Sequence, residues 1–311
     1  MAPPCADYRL RLRLLSPLGT PMQSDTLFGH LAWHAAHTGG EGGAAAFLAP
    51  FLAGNPPFVL SDAFPAGLLP RPLFPVPFAG VDKMDVARFS EAKRLQKAPF
   101  VAAEDFVRLL GAHAAVAPRG DPWVTVETPH AAMDRNTWTT TPGGQFYMTE
   151  ARVLADGFDA VDIYVRELAE DAAARVAETF RDIAQVGFGR DKSTGHGAFE
   201  VLALDPWQGF AAPEGADGFV SLSTCMPAAD DPADGRWRLR VKRGYLGEMA
   251  GGGNPFKRTM LQLTPGAVFR TAGAPKAWYG RIVPDVAPGM PEAVQCGLAL
   301  AAPCRWTGHD A

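Results

Sequence analysis

A glycine-rich segment, GFGRDKSTGHGAFEV from Gly187 to Val201, holds the side chains and spacing best suited to binding an anion. Glycine tolerates positive φ and lets a ligand approach backbone amides, which can form an anion-binding nest. The other interpretation is a glycine-rich surface turn without a ligand. The residues predicted to bind are Gly187, Phe188, Gly189, Arg190, Asp191, Lys192, Ser193, Thr194, Gly195, His196 and Gly197.

The anion could be a nucleotide triphosphate or the backbone of a polynucleotide. A phosphate-binding P-loop has Gly, four residues, then Gly-Lys-Ser/Thr, between a strand and a helix. Here five residues separate Gly189 from Gly195, and His196 stands where lysine is needed. The segment also follows a predicted helix and precedes a predicted strand. A nucleic-acid backbone is therefore the favoured ligand, with Ser193 and Thr194 able to bond phosphate or a 2′-hydroxyl.

Histidines could add metal-binding or acid–base chemistry. His30, His34 and His37 share one face of a predicted helix, but no acidic residue in that helix completes a metal site. The simpler interpretation is a partly exposed helix with polar histidines. His130 and Arg135 lie in a Trp/Thr-rich loop, and this combination suits a backbone contact with base stacking nearby. The other interpretation is a hairpin with ordinary polar residues.

Two segments with alternating arginines provide local positive charge. Residues 8–15 and 236–243 carry Arg or Lys on one face of a predicted strand and apolar residues on the other. Such faces are usually solvated, but within 236–258 Glu248 is the only acidic residue, which favours a polyanion.

Composition limits the function classes. The 311 residues carry a formal charge of -4, so the whole molecule is not a basic nucleic-acid binder. Arginines interrupt the N-terminal apolar run, and no long apolar segment predicts a membrane span. The 4 cysteines form no CxxC pair, so reduced thiols and a cytoplasmic location are expected.

The elements that must position these residues are mostly strands with a few helices packed on them, which predicts an α+β fold with antiparallel sheets. The predicted helices are a helix from Ser24 or Asp25 as cap to residue 38, a fragment within 39–54, Ala103–His113 and Glu167–Val186. The predicted strands are 8–15, 58–62, 123–128, 145–153, 158–165, 198–204, 219–227, 236–243, one after the glycine run at 251–253, and one within 294–303.

Together, these segments resemble a known family. SPLGTPMQSDTLFGHLAW, LLPRPLFPVPF, KRLQKAPFV, PHAAMDR, the glycine loop, NPFKRTMLQLTPGAVF and CGLALAAP occur in an order similar to the fourth subunit of the Csm complex. That complex is the type III-A CRISPR effector, and the subunit is a member of the repeat-associated mysterious protein (RAMP) superfamily. The resemblance covers nearly the whole chain.

The resemblance implies two ferredoxin-like (RRM-like) domains with loop insertions, at residues 1–205 and 206–311. It implies a non-catalytic subunit in antiviral defence that caps the 5′ handle of the crRNA, with no metal and no cofactor. The implied partners are the large polymerase-type subunit and an adjacent backbone RAMP subunit, with target RNA nearby. Beyond the glycine loop, the positions implied to bind RNA are Ser24, Thr26, His130, Arg135, Asn254, Phe256, Lys257 and Arg258.

Two alternatives stay open from the residues. One is a metal-independent repeat-RNA endoribonuclease that uses His30 or His130 as general acid or base. The other is a scaffold without direct RNA contact. A hairpin that wedges near the first guide position is expected from either the 83–100 or the 130–147 insertion.

Overall fold

The structure, a computed structural model, describes residues 5–74, 90, 93–94, 97–112, 116–131, 133–134, 136–140, 146–246, 254–288, 290 and 292–306. The elements up to residue 111 are β1 (Ala6–Leu14), α1 (Ser24–Thr38), α2 (Gly43–Leu52), β2 (Phe58–Pro65), β3 (Leu68–Pro70), β4 (Phe100–Ala102) and α3 (Ala103–Gly111). A long hairpin and its turn follow as β5 (Trp123–Ala131), β6 (Met133–Asp134), β7 (Thr139–Thr140) and β8 (Phe146–Leu154).

The remaining elements begin with β9 (Ala160–Glu167) and α4 (Ala172–Val186). A 3₁₀ turn at Lys192–Thr194 leads to β10 (Phe199–Trp207). The last strands are β11 (Gly218–Ser221), β12 (Gly235–Arg236), β13 (Leu239–Lys242), β14 (Met260–Leu263), β15 (Val268–Arg270), β16 (Trp278–Val283) and β17 (Gln295–Cys304). No described helix is both long enough and apolar enough to cross a membrane.

The first sheet has the order β10-β1-β9-β2, with every neighbouring pair antiparallel. With α1 after β1 and α4 after β9, this is the β-α-β-β-α-β arrangement of a ferredoxin-like fold. The alternation in β1 buries Leu10 and Leu12, and the helical period of α4 buries Phe180 and Ile183 in the same core. The α+β prediction with antiparallel sheets is confirmed.

The second sheet has the order β12-β15-β11-β17-β16 and is also antiparallel. Within the described part of residues 206–306 there is no α-helix, and α1 and α3 from the first half contact β17 instead. One hydrophobic core joins the halves, since Leu10, Phe180 and Leu300 belong to the same cluster. The division at residue 205 stays a prediction.

Several local details differ from the sequence prediction. The N-cap position of α1 is Gln23, and Ser24 and Asp25 are helical residues whose side chains bond the second half. The strand predicted at 236–243 is divided into β12 and β13, and β16 was not predicted. The β5–β8 hairpin is paired from Trp123 with Leu154 to Ala131 with Phe146, longer than predicted.

Candidate nucleic-acid interface

The glycine loop, residues 187–197, connects the end of α4 to β10, so it follows a helix and precedes a strand as predicted. Its backbone is closed by two hydrogen bonds, from Phe188 N to Gly197 O at 2.8 Å and from Gly197 N to Pro17 O at 2.8 Å. Gly197 has φ +73°, and a Cβ there would lie 1.9 Å from the Phe188 oxygen. Only glycine fits this position, so the loop has a fixed shape.

The first turns of α1 hold the loop from beneath. The His30 ring stacks on Phe188 with centroids 4.3 Å apart, and its Nε2 accepts a hydrogen bond from Gly189 N at 3.2 Å. Burial, and secondarily the charge of Lys192, lowers the pKa of His30 to about 4. His30 is thus a neutral acceptor near pH 7. Phe188 is fully buried and leaves no ring face for a base.

Arg190 anchors the loop to neighbouring segments. Its Nε donates to Gly19 O at 2.6 Å, and its Nη2 donates to Glu150 O in the long hairpin. Its backbone N donates to Thr20 Oγ1 at 3.1 Å. The guanidinium that the sequence placed on the ligand therefore bonds the protein itself, and it joins the loop to the hairpin.

The tip of the loop is the part open to a ligand. The backbone N–H groups of Asp191, Lys192 and Ser193 make no hydrogen bond within the described part of the chain. The Lys192 ammonium makes no ion pair there either, and Ser193 is exposed. The Thr194 hydroxyl, in contrast, donates to Asp191 O. Successive unpaired amides beside a lysine are the kind of groups that can hold an anion.

The β5–β8 hairpin lies next to the loop and carries exposed aromatic residues. His130 Nε2 lies 2.9 Å from Thr149 Oγ1, and the His130 ring stacks on Tyr147 at 5.2 Å. Trp138 near the turn is 82% exposed, and Phe146 is 68% exposed. Such rings suit base stacking. Arg135 lies outside the described residues, as does most of the alternative wedge insertion at 83–100.

Ser24 and Thr26, also predicted to bind, lie in a buried polar network between the two halves. Ser24 Oγ donates to Thr224 O at 3.0 Å, and Thr26 Oγ1 accepts from Lys242 Nζ at 3.1 Å. Asp25 receives the Lys242 ammonium at 3.0 Å. These side chains join the halves and are separated from the glycine loop by more than a turn of α1.

The segment 254–258 lies beside that same network. Lys257 Nζ is buried and donates to Val294 O at 3.1 Å and Gln295 Oε1 at 3.3 Å, and burial lowers its pKa. Arg258 pairs with Asp285 at 3.1 Å, while Asn254 Oδ1 accepts the N–H of Phe256. Asn254, Phe256 and Arg258 are exposed, whereas Lys257 is half-buried. The predicted residues therefore form two clusters rather than one.

The arginine stripe of β1 is neutralised by acids on the strands beside it. Arg9 pairs with Asp205 at 3.0 Å, and the other pairs are Arg11 with Asp162 at 2.7 Å and Arg13 with Glu200 at 2.8 Å. The interpretation of this stripe as a surface for a polyanion is wrong. Cross-strand neighbours decide whether a basic strand face has free charge, and a single strand sequence does not show them.

In the segment 236–243 the apolar side chains face outward. Lys242 points inward to Asp25, while the apolar side chains Leu239, Val241 and, across the hairpin, Leu261 are exposed. Sequence reasoning also missed a cleft of about 610 Å³ between the two halves. Its basic lining residues are Arg71, Arg152, Arg236 and Arg238. Arg71, Arg152 and the 236–238 segment are far apart in sequence and meet only in the folded chain.

The first sheet and the glycine loop between α4 and β10 place this chain in the class of ferredoxin-like α+β proteins. No known family profile matches the chain. It is 26% identical over 238 residues to the CRISPR system Cms protein Csm4 of Thermococcus onnurineus (strain NA1), an alignment that covers 72% of this chain and 75% of the relative. The resemblance read from the sequence is confirmed.

Solved structures agree on the fold. A chain of the crystal structure of a Csm1–Csm4 cassette in complex with cA4 superposes with a TM-score of 0.65 at 19% identity, covering 97% of this chain and 99% of the other. A chain of a Csm3–Csm4 subcomplex of the type III-A interference complex gives 0.58 at 15% identity, covering 96% and 99%. These likenesses show the fold.

Proposed function

We propose that this chain is a CRISPR effector subunit of the Csm4 type, which holds the 5′ handle of a crRNA in a type III-A complex. Its sequence relative is named a Csm4 protein, and chains of Csm4-containing assemblies share its fold along nearly the full length. The observation that carries the proposal is the tip of the glycine loop, where three successive amides make no hydrogen bond within the described residues and Lys192 makes no ion pair there.

The geometry divides the work of RNA binding among neighbouring groups. A phosphate at the tip accepts hydrogen bonds from the amides of residues 191–193 and pairs with Lys192. The hydroxyl of Ser193 is available to the same phosphate or to a 2′-hydroxyl. Arg190 keeps the hairpin beside the tip, so that exposed rings such as Tyr147 and Trp138 can stack on adjacent bases. This hairpin is the proposed wedge near the first guide position.

A protein partner fits the outer surface of the β13–β14 hairpin. Leu239, Val241 and Leu261 are each more than half exposed, and Tyr245 and Phe256 continue this apolar surface with ring centroids 5.8 Å apart. Contiguous exposed apolar residues of this kind mark association sites. Since the neighbouring structures pair Csm4 with Csm1 and with Csm3, we assign the role of bridging the large subunit to the backbone subunit.

RNA cleavage by histidine finds no support in the geometry. His30 uses Nε2 to hold Gly189, and a pKa of about 4 leaves it almost no proton to donate near pH 7. His130 is hydrogen-bonded to Thr149 and stacked on Tyr147. We therefore propose a binding subunit without nuclease activity, and we expect repeat RNA to stay intact in its presence.

The test is a binding titration with crRNA that carries the handle, at several salt concentrations. Lys192→Ala should weaken binding about tenfold, the loss of one charged hydrogen bond of roughly 1.5 kcal/mol. It should also reduce the slope of log affinity against log salt by about 1. Lys276→Ala, which removes an exposed lysine paired with Asp230 on the other half, is the matched control. Equal affinity for wild type and Lys192→Ala would remove the loop from the RNA site.

A further inference from the structure

Four aromatic rings form a continuous stack that ends in the cleft between the two halves. Tyr279 lies on Phe219 with centroids 3.9 Å apart and an interplanar angle of 6°. Phe219 lies on Phe269 at 5.2 Å and 22°, and Phe269 lies on Trp237 at 5.5 Å and 11°. Trp237 is the terminal ring of the stack, and 43% of its surface is exposed although three rings support it from behind.

Trp237 lines the cleft of about 610 Å³, together with Trp123 and a group of basic side chains. One face of Trp237 is covered by Phe269, and Trp237 also lines the cavity. A rigid indole with one free face is an efficient stacking platform, because little conformational entropy is lost when a second flat ring binds. The cavity lies within the size range of small-ligand sites.

More basic than acidic side chains line this cleft. Its basic lining residues are Arg71, Arg152, Arg236 and Arg238, and its acidic ones are Asp62 and Asp121. Asp121 pairs with Arg152 at 3.5 Å, whereas the Asp62 carboxylate points to the Ser24 and Thr224 amides inside the protein. Arg236 and Arg238 make no ion pair with the described residues. Burial, and secondarily the charge of Arg238, lowers the pKa of Arg71, and a bound anion would offset the repulsion between these two groups.

We propose that this cleft binds one unpaired RNA nucleotide, with its base on the free face of Trp237 and its phosphate on Arg236 and Arg238. The inference rests on the proposed function, since it gives the same RNA a second contact point away from the glycine loop. Guanidinium groups beside an aromatic platform match a phosphate linked to a flat base.

The test uses the full chain and a handle-carrying crRNA, with affinity measured as a function of salt. Trp237→Ala should weaken binding about tenfold, and Trp237→Phe should restore most of the affinity because a ring remains on the stack. Arg238→Gln should lower the salt slope by about 1, whereas Arg281→Gln, an exposed arginine on β16, should leave it unchanged. Melting curves of each variant show whether a loss of affinity comes from a loss of folded protein.

The variants distinguish this cleft from the glycine loop. If Lys192→Ala weakens binding and Trp237→Ala does not, the cleft proposal is overturned while the proposed function stands. If Trp237→Ala weakens binding and Lys192→Ala does not, the nucleotide is in the cleft and the loop assignment fails. If Trp237→Ala retains RNA affinity but loses association with the large subunit, the occupant is a protein segment and the cleft proposal is wrong.

Discussion

Replacing His30 by glutamine should remove a pH-dependent part of the stability of this fold. In the native chain the neutral imidazole accepts the Gly189 N–H and lies against Phe188. Protonation would put a buried charge beside the Lys192 ammonium and convert the acceptor into a donor. A glutamine carbonyl oxygen can accept the same hydrogen bond but does not titrate.

The magnitude follows from the shift of the His30 pKa from 6.5 to about 4. A depressed histidine pKa means that the unfolded chain binds the proton first, so the stabilisation is complete above pH 6.5 and is lost as the pH falls toward 4. At about pH 5 the loss is roughly 2 kcal/mol, and well below pH 4 it approaches about 3 kcal/mol.

The assay is denaturant unfolding of wild type and His30→Gln at about pH 8 and about pH 5. Between these conditions the wild type should lose roughly 2 kcal/mol more free energy of unfolding than the variant. Asp62 has the opposite sign, because burial raises its pKa and protonation then favours the folded state. That contribution is common to both proteins and cancels in the comparison. An identical pH dependence in both proteins would refute the buried neutral role of His30.

Four further substitutions test the glycine loop, the polar network between the halves and the partner surface. Gly197→Ala, whose Cβ would meet the Phe188 oxygen, should lower stability by about 3 kcal/mol or more, whereas Gly195→Ala, also at positive φ but facing open space, should cost about 1 kcal/mol. Equal melting temperatures for these two variants would contradict the loop geometry. Asp25→Ala leaves the Lys242 ammonium without its buried partner and should cost about 3–5 kcal/mol in denaturant unfolding. A loss below about 1 kcal/mol would show that the network does not join the halves. Val241→Ser should change stability by less than about 0.5 kcal/mol yet weaken capture of the large or backbone subunit in a pull-down, and unchanged capture would count against the partner surface.

Much of the fold could be predicted from the sequence because it rests on local periodicity. Strict alternation marked β1, and a helical repeat marked α4 and therefore placed the glycine loop between a helix and a strand. β16 was not predicted because its burial does not alternate: the neighbouring residues Tyr279 and Gly280 are both buried. The prediction that Ser24 caps α1 was wrong, because the Ser24 hydroxyl donates a hydrogen bond to Thr224 O in the second half and Gln23 is the N-cap residue.

The candidate site was harder to predict because charge depends on spatial neighbours. The glycine spacing correctly placed a loop between a helix and a strand, but Arg190 bonds two carbonyl groups of the protein, and Lys257 bonds Val294 and Gln295 beside β17. The sequence gives the basic residues but not the acids or carbonyls that face them. The sequence also does not show that Arg71 and Arg238, which are far apart in the chain, line the same cleft.

The most direct test of the proposed function is a photo-crosslinking map of the effector complex with 4-thiouridine in the crRNA. Peptides from 187–197 and from the β5–β8 hairpin should crosslink to nucleotides of the constant 5′ handle. The signal from 187–197 should fall with Lys192→Ala and stay with Lys276→Ala. A map in which neither region carries handle nucleotides, while other subunits do, would contradict the assignment of this chain as the handle-binding subunit.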